Sequence, residues 1–494
     1  MSNEQLANVM FARKGLQMLQ RDLIDEQAIS LVNTLDRALR LGDFETFDTV
    51  CASLPQIVSA DVEAWRIKER LQVISLIRFP LHQLSQDEVL YAQRARVSGL
   101  TLNCSYSDRQ LLSHAGRLVA HIVRLSSTPK RGFRHGPGVV AETSCQVTKR
   151  QVCYVAPSLR DFVSSIPDFP IVWRAKPSKT VLVPKDHKTL RVIAAEPTWT
   201  QWVQQGFKQS LMDTIVKHEA FRGHISFKDQ ELQRRLLKEP DIATIDLSDA
   251  SDSIRVKHLL LLGLPLDVRQ TLLCLRTPMT SYKDKILPTV GLFPMGAAVC
   301  FPFETLFFAS LLQAYCYAEV GYVPSIWGVF GDDIIIPGYL AGGFCSFLKR
   351  VGLSPNLRKT FIGGNFFESC GAHLYKGIDV TPVKLKKSPP ISQSDVNNIS
   401  YTDYYAKLLC AYPSLAKHIA TSILDESFSK PRVRWNSNYQ RLEKQILVSK
   451  AKTTRGHWSF YPEALLYGSA DVSLSVITTK HDWTPLFHSN MVGW

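Results

Sequence analysis

The chain has 494 residues, 45% of them hydrophobic and 21% charged, the balance of an ordinary soluble globular protein and not of a disordered one. That length is too great for one simple core, so two to four subdomains are expected. The net charge is +14, and an excess of that size suits a polyanionic partner, most simply nucleic acid.

The 10 cysteines are scattered without a C-x-x-C pair, which argues against zinc and for reduced thiols. The start, Met1-Ser-Asn-Glu-Gln5, lacks the basic and apolar runs of a secretory leader. The most lipid-like stretch, 296–314, contains Pro302 and Glu304, which speaks against a membrane span. A soluble intracellular protein with no membrane partner is the expectation.

Residues 1–130 read as mainly helical, with Leu31, Leu35 and Leu39 recurring at helical spacing. A Gly-rich break at 131–138 interrupts that pattern. Strands are expected at Thr180–Pro184 and Arg191–Ala195, joined by a basic loop, with helix following to about residue 239. Residues 242–246, Ile-Ala-Thr-Ile-Asp, form a short apolar strand ending in an acid. A helical interlude leads to a Gly/Pro loop at 291–296 and an apolar helix to about 317. An amphipathic helix is expected at 340–351 and strands within 356–384. Helix signals return from about 397, before a strand-poor tail. Helix-rich flanks around strand, helix, hairpin, helix and strand make an α+β arrangement.

Phe330-Gly-Asp-Asp333 lies between the apolar, β-prone runs 325–329 and 334–336. Gly331 suits a tight turn, and the turn would present two acids at the edge of a packed sheet. Unpaired charge is costly there, and bound divalent metal would compensate it. A solvated hairpin turn is the plainer reading of the same four residues. Asp246 ends a strand 86 residues earlier, room enough for that strand to return as an antiparallel neighbour facing Asp332. Two or three such carboxylates suit a pair of Mg2+ ions, which activate an attacking 3′-oxygen and stabilise leaving pyrophosphate. Strand alternation gives Asp332 more weight than Asp333. For Asp246, the alternative is a helix cap, which Ser248, Asp249 and Ser251 also suit.

The segment 171–191 carries Arg174, Lys176, Lys179, Lys185, Lys188 and Arg191 against one acid, Asp186. It suits a cationic arm that clamps a triphosphate, or else a solvated basic hairpin. Lys359 has the chemistry of a general acid, although Arg358-Lys359 alone reads as a surface pair. The cluster Phe303, Leu306, Phe307, Phe308, Leu311 and Leu312 is core. Glu304 within it is a buried acid that needs a partner.

Five collinear segments then resemble a known family. They are Thr180-Val-Leu-Val-Pro-Lys-Asp-His-Lys-Thr-Leu-Arg-Val-Ile-Ala-Ala-Glu-Pro197, Ala243-Thr-Ile-Asp-Leu-Ser-Asp-Ala-Ser-Asp-Ser-Ile254, Val329-Phe-Gly-Asp-Asp-Ile-Ile-Ile-Pro337, Lys359-Thr-Phe361 and Phe367-Glu-Ser-Cys-Gly-Ala-His-Leu-Tyr-Lys-Gly-Ile-Asp-Val-Thr-Pro382. Over about 130–385 the chain resembles the replicase β-subunit, an RNA-directed RNA polymerase, of positive-strand RNA bacteriophages of the levivirus type.

That resemblance implies a right-hand polymerase. Residues 1–130 would contribute to finger and thumb contacts, 131–240 form fingers with the basic arm, 241–395 the palm, and 396–494 a helix-rich thumb. It implies template-directed RNA synthesis from NTPs on an RNA template, with two Mg2+ ions for which Mn2+ can substitute. Asp246, Asp332 and Asp333 would be catalytic and bind the metals, with Lys359 as general acid. Lys185, Lys188, Arg191, Ser251, Asp252, Met295 and Gly296 would bind the nucleotide. Ser369, Cys370 and Gly371 would support the nascent 3′ end. Implied partners are host elongation factors Tu and Ts and ribosomal protein S1, in the cytoplasm of a bacterial host.

One segment departs from the family. Its loop typically reads Ser-Met-Gly-Asn-Gly with Thr three residues after the Asn; here Pro294-Met-Gly-Ala-Ala298 and Cys300 stand instead. Either the Met295-Gly296 backbone replaces the missing groups, or Ser251 and Asp252 carry more of the ribose reading. A reverse transcriptase shares palm geometry but usually has Tyr-x-Asp-Asp, which Phe330 argues against. A non-catalytic RNA-binding protein with a relict palm is the third reading.

Overall fold

The computed structural model describes residues 3–76, 84–127, 133–136, 138–142, 149–163, 170–186, 189–384, 407–423, 447–450 and 458–461. At its centre is a four-stranded antiparallel sheet in the order Phe361–Ile362, Ile242–Ile245, Asp333–Pro337, Gly328–Phe330. Side chains alternate across a strand, and both faces here are covered. Ala243, Ile245, Ile334 and Ile336 join the main core. Ile242 and Ile335 pack instead with Ala372 and Leu374. Those last two belong to the hairpin formed by Phe366–Ser369 and Ala372–Tyr375.

The helix Cys300–Val320 is apolar nearly all round and buried along most of its length. It ends at Gly321, whose φ of 80° supplies the left-handed cap. It shares the main core with the helix Tyr106–Ser126 and the amphipathic helix Gly338–Arg350. Each fully buried Leu or Phe in that core contributes about 1.5–3 kcal/mol over exposure. A charge at Leu306 or Phe308, both wholly buried, would therefore break the support beneath the sheet.

Beside this body lies a mixed sheet ordered Leu190–Ala195, Ser178–Pro184, Met279–Tyr282, Lys285–Pro288. The first two strands pair antiparallel from Lys179↔Ala195 to Pro184↔Leu190, at the expected positions.

The α+β expectation holds, and two details differ from it. Described residues 3–126 are mainly helical, but they divide among three cores, one of which joins Ile57, Ile67 and Leu71 to Phe366 and Tyr375. Tyr106–Ser126 belongs to the central one, whereas Val9, Leu16, Val32 and Leu35 pack with Leu408, Leu415 and Ile419 in a separate cluster. Hydrophobic spacing finds helices and does not say which core each one joins. In the tail, Leu447–Lys450 and Trp458–Tyr461 pair antiparallel where few strands were expected. No described helix is long and apolar enough to cross a membrane, and the described cysteines are free thiols.

Candidate active site

The sheet register brings the acids together. Ile245 pairs with Ile334, so Asp246 leaves its strand beside Asp333. Phe330 pairs with Asp333, which leaves Gly331-Asp332 as a two-residue turn. Gly331 has φ of 66°, as the first position of a primed hairpin turn requires. Its N–H donates to Thr305 Oγ1 at 2.9 Å, pinning the turn to the apolar helix. An added Cβ there would lie 2.9 Å from the Phe301 ring, so the position has no room for a side chain.

The acids are poorly compensated. Burial pushes the Asp246 carboxyl up to about 6; Lys359 offsets part of that and Asp332 adds to it. Asn356 Nδ2 donates to Asp246 Oδ2 at 3.0 Å, and Lys359 Nζ lies 3.8 Å from the same oxygen. Burial also raises Asp332, against the pull of Lys359, Lys185 and Arg191. Asp333 is pushed up to about 7 by burial and then by Asp332. Asp332 and Asp333 are both half-buried, but Asp332 feels the cations Lys359, Lys185 and Arg191, whereas Asp333 feels Asp332, Asp246 and the Cys370 N–H.

Three groups join this centre. Cys370 and Gly371 form the turn between Ser369 and Ala372 with φ of 50° and 75°. That geometry turns the Cys370 N–H and thiol onto the Asp333 carboxylate. Glu304 answers to the same cluster: burial, then Asp332, Asp252 and Asp333, drive its carboxyl well above the usual range. Its buried place on an apolar helix was legible, but its neighbours were not. Glu368 was missed altogether. Burial would raise it, but the His373 ring at 3.3 Å outweighs that and holds it at about 2.

The loop preceding the apolar helix is engaged by the protein itself. Met295 O accepts from Ala194 N at 2.7 Å, and Ala298 N donates to Gln204 Oε1 at 2.9 Å. Gly296, with φ of 106°, lies so close that a Cβ would run into the Ala194 carbonyl. Met295 O and Ala298 N are thus both engaged within the protein. Ser251 hydrogen-bonds the Cys300 thiol, which burial and then Glu304 and Asp252 push upward. Asp252 is pushed up to about 7 by burial and by Asp249.

Lys185 and Arg191 flank the bend between their two strands, and both are exposed. Lys188 lies outside the described residues. Among the described residues, no three His, Cys, Asp or Glu side chains form a ready-made metal cage. The donor set still fits Mg2+, which needs only one or two carboxylates and completes its shell with water and phosphate oxygens. The buried acids short of cations are the observation that favours such a fit.

The family model described as RNA replicase, beta-chain, matches residues 123–395. The chain belongs to that family. Replicase β-chains of three phages show the same relation. The RNA-directed RNA polymerase subunit beta of Enterobacteria phage SP is 34% identical over 349 residues, covering 69% of this chain and 57% of the phage protein. That of Escherichia virus Qbeta is 37% identical over 214 residues, 42% of this chain and 35% of that one. The beta chain of Escherichia phage MS2 is 34% identical over 209 residues, 42% and 37% of the two chains. The matches thus span between about a third and somewhat over half of those replicase subunits. Among solved structures, the RNA-dependent RNA polymerase of a human picorbirnavirus aligns over 83% of this chain and 84% of its own, at 13% identity and a TM-score of 0.44.

Proposed function

We propose that this replicase β-chain relative performs template-directed RNA synthesis on an RNA template, joining NTPs with release of pyrophosphate. The observation that carries the reading is the half-buried, under-compensated trio Asp246, Asp332 and Asp333 at the sheet edge, with Lys185 and Arg191 acting on Asp332. In this reading the central sheet is the palm, 131–240 the fingers and 396–494 the thumb, with 1–130 bridging them.

Asp246 and Asp332, with Asp333, would hold two Mg2+ ions or Mn2+ in their place. Bound there, the ions supply activation of the primer hydroxyl and charge neutralisation at the leaving group. The chain's own side chains do the rest. Lys185 and Arg191 hold the triphosphate by charge-assisted bonds. Asn356 and Lys359 fix the Asp246 carboxylate, and the Cys370 N–H fixes that of Asp333. Lys359 then gives its proton to the departing pyrophosphate. Ser369, Cys370 and Gly371 support the nascent end, and Ser251 and Asp252 read the sugar. Elongation factors Tu and Ts and ribosomal protein S1, in a bacterial cytoplasm, are the expected company.

The test is primed extension on an RNA template with Mg2+, with and without those host proteins. Ribonucleotides should be incorporated, and Asp332→Asn should cut the rate by roughly 10³-fold, as loss of a transition-state-stabilising group does. RNA affinity should be kept and should weaken with added salt. Incorporation of deoxynucleotides alone would replace this reading with a reverse transcriptase. RNA binding without any synthesis would leave a relict palm.

A further inference from the structure

The helix Gln86–Gly99 lies before the family-matched segment, yet it is bonded to both walls of the nucleotide site. Toward the turn Ala250–Ser253, Gln93 Nε2 donates to Asp252 Oδ2 at 2.9 Å, and Arg96 makes bonds of 3.0 and 3.3 Å to Asp249. Toward the mixed sheet, Asp87 accepts from Tyr282 Oη and Lys283 Nζ, both at 2.6 Å. Arg94 Nη2 donates to Pro288 O at 2.8 Å. Ser85 caps the helix start, accepting from Glu88 N.

We infer that Gln93 is a positioning residue for ribose recognition, acting by holding the Asp252 carboxylate from behind. The inference rests on the polymerase reading above. With Ala297, Ala298 and Cys300 in the loop, and with Met295 O and Ala298 N already bonded, sugar recognition falls to the turn that carries Ser251 and Asp252. That turn needs an external brace, because Asp249 at its start has φ of 50°, a strained value for a residue with a side chain. Gln93 supplies the brace at the reading residue itself. An amide facing a carboxylate has to present its NH2, so the bond orients Asp252 without neutralising it. On the far side, a Cβ at Gly291 would stand 3.1 Å from Asp252 Oδ1, so the carboxylate sits between Gln93 and bare backbone. The cavity beside it, bounded by Gln93, Arg94, Thr180, Thr280 and Thr289, holds about 40 Å³. It has room for water and none for a nucleotide. The Gln93 side of Asp252 is therefore backing, not a ligand pocket.

The test is single-nucleotide incorporation by the full chain, comparing each ribonucleotide with its deoxy counterpart. Gln93→Leu should raise the nucleotide KM about fivefold and lower ribose discrimination about tenfold, with kcat within about twofold, the scale of one lost orienting bond. In an Asp252→Asn background it should add nothing. Asp87→Ala loosens the same helix away from Asp252 and should leave discrimination unchanged. Gln93→Met keeps the chain length and replaces the leucine variant should that one unfold. Unchanged KM and discrimination in the Gln93 variants, or an equal shift in Asp87→Ala, would overturn the inference and leave the polymerase reading standing. A parent chain that makes no RNA would remove that reading first.

Discussion

Two groups of carboxylates in the molecule are treated in opposite ways. In the helical scaffold, Asp25 is almost wholly enclosed, and burial alone would raise its carboxyl. Arg70, with bonds of 2.7 and 3.2 Å, and the Ala28 N–H outweigh that and keep it below the ordinary range. Asp108 shares the pattern: hydrogen bonds from Arg350 hold it at about 2, helped by Ser105. At the sheet edge, Asp246, Asp332 and Asp333 are half-buried and Glu304 beneath them is buried, and all four are pushed upward. Among the described residues, the one lysine or arginine nitrogen within 4 Å of any of their carboxylates is Lys359 Nζ, 3.8 Å from Asp246. The site acids are the more exposed set and are still the ones pushed upward, so the difference lies in the partner. The scaffold builds in its counter-charge at hydrogen-bond distance, whereas the site acids have no arginine or lysine that close among the described residues.

The contrast breaks most visibly at Asp25. Asp25→Ala leaves the Arg70 guanidinium, 2% exposed, without its carboxylate, and should cost about 3–5 kcal/mol in urea unfolding. Replacing both partners with apolar residues of similar volume should recover most of that loss. If Asp25→Ala were neutral, the scaffold pair would be no better matched than the site acids.

A second, smaller effect separates the two regions by pH. His258 is fully buried and kept neutral: Nδ1 accepts from Arg255 N, and Nε2 donates to Val351 O at 2.9 Å. Burial pushes it down to about 4. Its folded value lies below the unfolded value near 6.5, so its contribution is complete above pH 6.5 and is lost as pH falls through 4. Between pH 6.5 and 5 the loss should be about 2 kcal/mol at 1.4 kcal/mol per unit. The raised site acids work the other way, taking up protons and relieving their repulsion as pH falls. His258→Gln should therefore remove the first slope and uncover the second. Parallel unfolding curves for parent and variant across this window would contradict the assignment.

What the sequence shows of this site follows from what local pattern can carry. Phe330-Gly-Asp-Asp333 and the strand ending at Asp246 are readable because a primed turn needs glycine and buried strands need apolar runs. The helix Gly338–Arg350 is readable from its periodicity. Asn356 bonds an acid 110 residues away, and Gln93 one 159 residues away. Neither leaves a local trace. Cys370 belongs to a segment read as strand-end support, but its bond to Asp333 needs the hairpin and the sheet stacked together. The loop at 294–298 reads as deficient in polar groups. Its engagement through backbone bonds to Ala194 and Gln204 is visible only in three dimensions.

The smallest expected effect tests the site side of the contrast alone. Glu304 is buried on an apolar helix with no arginine or lysine against it among the described residues, and its carboxyl is held well above 4.5 by burial and by Asp332. A carboxyl raised in the folded state makes that state less stable as pH climbs from the unfolded value through the folded one. Glu304→Gln is isosteric with the protonated acid and cannot ionise. Without divalent metal, the variant should match the parent below about pH 4 and gain on it as pH rises past 4.5, by about 1 kcal/mol on going from pH 6 to pH 7, within the limit of about 1.4 kcal/mol per unit for one proton. Added Mg2+ should narrow that gap, because a cation at Asp332 removes part of the repulsion that keeps Glu304 neutral. A gap that widens with Mg2+, or a variant less stable than the parent at pH 7, would mean that Glu304 is charged and paired. It would then belong with Asp25 and Asp108, on the scaffold side of the contrast.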